Sequence, residues 1–195
     1  MPNRSILDTV LVIDIETTGF LNQEAAIVEV GIVGLHLENG QREILFDSVC
    51  RESHLTAKHR TYPMGWIFEN SSLTVEEVRT APLLDDILPK IQHIISAHPA
   101  GATAYNRSFD FDFLESRGVR FGTKLPCPMV LSTPICQLPA RHAGHGRYKW
   151  PKVTEVWEHF FPDQPYVELH RAADDAYHEA LIVWELYKCG VFAVT

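Results

Sequence analysis

The sequence predicts an α/β domain: a mixed sheet of about five strands, an antiparallel three-strand meander plus parallel strands, with helices on both faces. Three observations carry this. Three runs rich in β-branched and apolar residues lie within the first fifty positions. The apolar spacing turns helical after residue 73, and short strand-like runs then alternate with helical ones to the end. With 195 residues, 46% of them apolar and 22% charged, the chain has the size of one globular domain, taken as 1–195, and can bury a core.

The elements follow in order. Residues 7–16 form a strand around Val10-Leu11-Val12-Ile13. AIVEVGIVGLHL, 26–37, forms a second, and Asn39-Gly40, a two-residue hairpin signal, leads into EILFDSVC as a third. Thr74-Val75-Glu76-Glu77 marks a helix start with Thr74 or Ser72 as cap. Leu84, Ile87, Leu88, Ile91, Ile94 and Ile95 then recur at helical spacing over 82–96, with Pro89 working against the pattern. ATAY (102–105) is a short strand and 108–117 a helix; 127–131 is a fifth strand, which Pro126 and Pro128 weaken. Helices over 151–160 and 171–189 close the chain.

Composition excludes several classes. A net charge of −8 argues against coating nucleic acid by bulk attraction, though not against gripping a strand locally. Cys50, Cys127, Cys136 and Cys189 form no CxxC pair, so reduced thiols are expected rather than a disulfide framework or a zinc site. No apolar run reaches the length of a membrane span, and MPNRSILDTV lacks the apolar stretch of a signal peptide. A soluble, cytoplasmic protein is expected.

Strand alternation puts Val10, Val12, Asp14 and Glu16 on one face. Two carboxylates roughly 6 Å apart repel by about 3 kcal/mol at an effective dielectric near 20. An isolated DxE is more often a solvated strand end beside a lysine or arginine. A second cluster, AYNRSFDFDFLESRG, reads by itself as an amphipathic helix with core phenylalanines and a wet side carrying Asp110 and Asp112. In the third, ELHRAADDAYHEALIVWEL, His170 precedes a helix whose first turn holds Asp174 and Asp175, ordinary partners of a helix dipole.

Taken together, DIETTG, NRSFDFDFL and HRAADDA resemble the DEDD superfamily of 3′–5′ exonucleases, in its DEDDh branch. That branch includes the proofreading exonuclease subunit of bacterial DNA polymerase III, exonuclease X and ribonuclease T. The resemblance runs from residue 10 to about 188 and implies a ribonuclease H-like fold. It implies Asp14, Glu16, Asp110 and Asp175 as metal ligands and His170 as the fifth catalytic residue. The sister branch has tyrosine where this chain has Arg171.

The resemblance further implies two divalent ions, Mg²⁺ or Mn²⁺, as cofactors. Asp14, Glu16 and Asp175 would hold the ion that activates water. Asp14 would share the ion at the leaving 3′-oxygen, with Asp110 assisting, and His170 would accept the proton. Thr17, Thr18, Asn106 and Phe109 would meet the terminal nucleotide. RHAGHGRYKWPK, from Arg141 to Lys152, is basic without one acid. Within it Arg147 and Lys149 are read as phosphate contacts, and Trp150 as packing into the core ahead of a helix begun by Pro151.

Three departures stand out: Tyr105 where the family commonly has histidine, Asn70-Ser71 where many relatives have His-Gly, and residues 54–68, which match nothing in the pattern. The expected activity is release of nucleoside 5′-monophosphates from single-stranded 3′ ends, DNA ahead of RNA. RNA 3′-end trimming and a non-catalytic nucleic-acid-binding protein are the alternatives. Expected partners are a DNA or RNA 3′ end, a DNA polymerase or repair protein, and a second copy of the chain; no membrane is expected. Because the chain stops soon after its last predicted helix, a free-standing nuclease is favoured over a tethered subunit.

Overall fold

A computed structural model describes residues 8–140 and 147–194. Four strands, β1 (Thr9–Thr17), β2 (Ile27–His36), β3 (Arg42–Val49) and β4 (Ala102–Thr103), form one sheet in the order β3-β2-β1-β4. β1, β2 and β3 are antiparallel neighbours, and β4 runs parallel to β1. Among the described residues seven α-helices accompany them: α1 (Trp66–Asn70), α2 (Val75–Thr80), α3 (Leu84–Ala97), α4 (Arg107–Ser116), α5 (Pro128–Cys136), α6 (Val153–Phe160) and α7 (Ala172–Lys188).

Strand alternation divides the core. Leu11, Ile13 and Ile15 pack with Ile91 and Ile95 of α3 and Phe111, Phe113 and Leu114 of α4. Val10 and Val12 face the other way, onto Val156 and Trp157 of α6 and Ala176, Ala180 and Val183 of α7. Helices therefore cover both faces, as expected. A smaller cluster joins Val28 to Ile67, Leu73 and Val78 of the α1–α2 region.

Four expectations need correction. The sheet has four strands, because the fifth, at 127–131, is the start of α5. Pro128 occupies the helix's opening turn, where a missing N–H removes no helical bond and φ is already suitable. The strand at 102–105 is only two residues long. The β2–β3 hairpin exists, but its loop is longer than Asn39-Gly40: the Leu37 N–H still pairs with the Asp8 carbonyl beside β1, and the His36 N–H closes on the Gln41 carbonyl. Trp150 is 67% exposed rather than in the core, while the buried Pro151 precedes α6.

Other signals hold. Thr74 caps α2 reciprocally with Glu77, its hydroxyl accepting the Glu77 N–H at 3.1 Å while Glu77 accepts the Thr74 N–H at 2.7 Å. Pro89 lies inside α3 on its exposed side, where water can satisfy the carbonyl it leaves without a donor. No helix among the described residues is long and apolar enough to cross a membrane.

Candidate active site

β1 delivers the first two acids. Asp14 and Glu16 point to the face covered by α7, and Glu16 is only 8% exposed. Across the strand pair, Asp14 sits opposite Gly31 and Glu16 opposite Glu29. Gly31 allows α7 to start against the sheet: a Cβ there would lie 2.3 Å from the Ala172 carbonyl carbon and 2.4 Å from the Ala173 nitrogen. Both are backbone atoms, so the glycine sets how near Asp175 comes to β1.

The shortness of β4 places the third acid. The Leu11 N–H donates to the Gly101 carbonyl on the β4 side at 2.9 Å. Ile15 points the same way but lies beyond the end of β4, and its N–H donates instead to Asp110 Oδ1 at 3.2 Å. Asn106 makes the turn into α4 in the left-handed region, at φ 59°, a conformation asparagine adopts more readily than most residues. Asp110 is 2% exposed, whereas its neighbour Asp112 is exposed.

Asp175, in the first turn of α7, has both oxygens held. Tyr166 donates its hydroxyl to Oδ1 at 2.9 Å, and the Arg171 N–H donates to Oδ2 at 3.0 Å. His170 stands just outside that turn with φ 52°. One ligand atom from each of Glu16, His170 and Asp175 lies within 4.8 Å of the others. Two segments more than 150 positions apart thus meet at one point.

The electrostatics match a cation site. Burial raises the pKa of Asp14 well above the carboxylate range, reinforced by Glu179, Asp110, Glu16 and Asp175. Burial, then Asp175 and Glu29, pushes Glu16 up to about 9. Asp110 is also raised by burial, against the opposing hydrogen bond from Ile15. Burial raises Asp175 despite the bonds from Tyr166 and Arg171. Among the described residues no lysine or arginine forms an ion pair with any of these acids. Buried carboxylates without a counter-charge are costly, and a hard divalent ion is the partner such oxygens fit.

Several residues of this centre carried no recognised signal in the sequence. Glu179 is 3% exposed and its Oε2 accepts the Tyr105 N–H at 3.4 Å. Burial, then Asp110 and Asp175, raises its pKa. Its one available signal was its position a helical turn after Asp175, on the same face of α7. Glu29, Tyr166 and Glu168 reach the centre through the fold.

The expected substrate residues are divided. A cleft of about 430 Å³ opens beside Glu16, lined by Thr17, Thr18, Phe20, Tyr62, Trp66 and Phe109 among others. Thr17 donates its hydroxyl to the Gly19 carbonyl at 2.8 Å, and the Thr18 hydroxyl accepts the Ala26 N–H at 2.9 Å. Both side chains therefore brace the turn. Asn106 and Phe109 line an adjoining shallow cleft with Phe20, whose ring meets Phe109 edge-on at 6.3 Å. Arg147 is exposed, its guanidinium 5.2 Å from the Tyr148 ring centre. Lys149, expected at a phosphate, is paired with Glu155. The rest of that basic segment, 141–146, lies outside the described residues.

Comparison with known proteins bears on the family and the fold. The RNase_T exonuclease family matches residues 11–183. The chain is 28% identical over 172 residues to a PolC-type DNA polymerase III of Clostridium perfringens (strain 13 / Type A), covering 87% of this chain and 10% of that one. It is 29% identical over 169 residues to the PolC-type DNA polymerase III of Caldanaerobacter subterraneus subsp. tengcongensis, covering 85% and 11%. The chain thus spans about a tenth of the length of the curated relatives it matches. In fold it is similar to the nuclease domain of 3′hExo, a DEDDh family member bound to rAMP, with a TM-score of 0.67 at 16% identity, covering 99% and 98% of the two chains. A 3′-exonuclease that recognises the 3′ end of a histone mRNA stem-loop superposes with a TM-score of 0.68 at 14% identity, covering 96% and 85%.

Proposed function

Since the chain belongs to the RNase_T exonuclease family, we propose that it hydrolyses single-stranded nucleic acid from the 3′ end, DNA ahead of RNA, releasing nucleoside 5′-monophosphates. One observation carries the reading: Asp14, Glu16, Asp110 and Asp175 converge beside His170 with no lysine or arginine paired to them among the described residues. A module that only bound nucleic acid would have no use for so costly an arrangement.

Asp14, Glu16, Asp110 and Asp175 would hold two divalent ions, Mg²⁺ or Mn²⁺. Such ions, when bound, acidify a water for attack and offset charge on the leaving 3′-oxygen. The protein's own groups do the rest. Tyr166 and the Arg171 N–H hold Asp175 in one orientation, as outer partners of ligands commonly do. His170, within 4.8 Å of Glu16 and Asp175, takes the proton from the attacking water, the role histidine most often fills in general-base catalysis. The cleft along Thr17, Thr18, Phe20 and Phe109 receives the terminal nucleotide, and Arg147 meets a phosphate further along the strand.

DNA stands first because the sequence relatives, at 28% and 29% identity, are DNA polymerases. RNA is the second reading, favoured by the structural likeness to proteins solved with rAMP and with an mRNA stem-loop. A DNA polymerase or repair protein is the partner the first reading implies, with the cytoplasm as the place of action and a second copy of the chain as another partner. The test incubates 5′-labelled single-stranded DNA, RNA and duplex DNA with Mn²⁺ or with EDTA. A descending ladder and free 5′-monophosphates with Mn²⁺ alone are expected. No release from any substrate would end the reading.

A further inference from the structure

Resting on that reading, we infer that Trp66 is the positioning residue of the general base: its indole holds the His170 imidazole in the orientation that lets it take the proton. A histidine that works as a base usually has its second ring nitrogen fixed by a carboxylate or a carbonyl. Among the described residues the His170 ring makes no hydrogen bond, and Trp66 is its one ring contact. The two rings meet edge-to-face, with centroids 4.9 Å apart and planes at 76°. The backbone leaves the side chain in need of such support. His170 has φ 52° and is the penultimate residue of an irregular stretch, residues 161–171, with no helix or strand of its own.

Trp66 itself is firmly seated at its base. It opens α1, whose next residue, Ile67, is 1% exposed and packs with Leu73 and Val78. Gly65 precedes it where a Cβ would lie 2.5 Å from the Arg60 carbonyl carbon, so α1 is held against its own approach segment. Trp66 is 43% exposed and lines the 430 Å³ cleft together with Phe109 and Thr18. Residues 54–68, which match nothing in the family pattern, thereby acquire a role: they carry the ring that steadies the base.

The competing role for a half-exposed tryptophan in such a cleft is stacking on the substrate base, and kinetics separate the two. In Trp66→Leu, kcat on a single-stranded oligonucleotide should fall roughly 3- to 10-fold, the worth of one aromatic contact, with KM nearly unchanged. Trp66→Phe, which keeps a ring, should restore most of the loss. In a His170→Ala background, Trp66→Leu should cost nothing further, because the group it positions is gone. A readout independent of turnover is the His170 ring-proton resonance, identified by its disappearance in His170→Ala. In the wild type it should be displaced by the indole ring current, and in Trp66→Leu it should return towards the free-histidine position. A raised KM at constant kcat, an equal loss in the His170→Ala background, or an undisplaced resonance would each overturn the assignment. An inactive wild type with a displaced resonance would instead overturn the nuclease reading and leave the ring contact standing.

Discussion

Arg171 and Glu29, 142 positions apart, form a two-point ion pair: the guanidinium Nη2 donates to Glu29 Oε1 at 2.7 Å and Nε donates at 3.0 Å. Glu29 is 1% exposed and also accepts the Ala172 N–H at 3.2 Å. A third guanidinium bond reaches the Ser72 hydroxyl at 3.0 Å. The residue after the proposed base is therefore tied both to β2 and to the approach to α2, and Glu29 faces Glu16 across the strand pair.

Removing the cation should leave Glu29 buried and uncompensated. Arg171→Met is expected to lower unfolding free energy by about 3 kcal/mol, read by urea denaturation in EDTA. Glu29→Gln should cost less, since Arg171 is 29% exposed at its side chain and can turn to water.

Backbone contact at Gly31 leaves no room for a methyl group. Gly31→Ala should displace the start of α7 and abolish the rise in melting temperature that Mn²⁺ produces, together with turnover. Gly34→Ala is the control, because the nearest atoms there are side-chain carbons of Leu45 and Thr9 at 3.0 and 3.1 Å, which can shift. Equal metal responses in the two variants would contradict this account of Gly31.

Stability of the metal-free protein should fall as pH rises from about 4.5 to about 9, the interval between the ordinary and the folded pKa of Glu16. In that interval the folded state keeps a proton that the unfolded chain releases, so each step up in pH favours unfolding. Below the interval the contribution is fully present; above it the loss is complete. Bound Mn²⁺ compensates the ionised acids, so the gap between melting temperatures in Mn²⁺ and in EDTA should widen with pH.

Asp14→Asn should divide stability from function. With one acid of the cluster made neutral, the metal-free protein should melt roughly 2–6 °C higher at pH 8, while Mn²⁺ no longer stabilises it and activity disappears. A metal-free melting point below wild type would show that Asp14 has an attractive partner in the fold.

His170→Ala addresses proton transfer alone. Turnover should drop about 10²- to 10⁴-fold, the usual contribution of a general base, and Mn²⁺ should still raise the melting temperature. Wild-type turnover in this variant would show that another group accepts the proton.

Much of this protein is written in local pattern. The apolar run before Asp14, the Thr74–Glu77 cap and the helical spacing of α3 and α7 are each fixed by residues a few positions apart. The acids of the centre were legible for the same reason: DIETTG, NRSFDFDFL and HRAADDA keep their internal spacing whatever surrounds them. Where two local readings competed, at 127–131, Pro128 opened a helix rather than closing a strand, and only the packed structure decided it.

The tertiary structure alone decided what surrounds those acids. The Arg171–Glu29 pair, the Trp66–His170 contact and the approach of α7 to Gly31 join residues 104 to 142 positions apart. Composition and period report which face of an element is apolar, but not which distant side chain the closed sheet will bring opposite it. Glu179, a turn beyond Asp175, shows the boundary: its helix face could be read from spacing, its burial beside Asp110 and Asp14 could not.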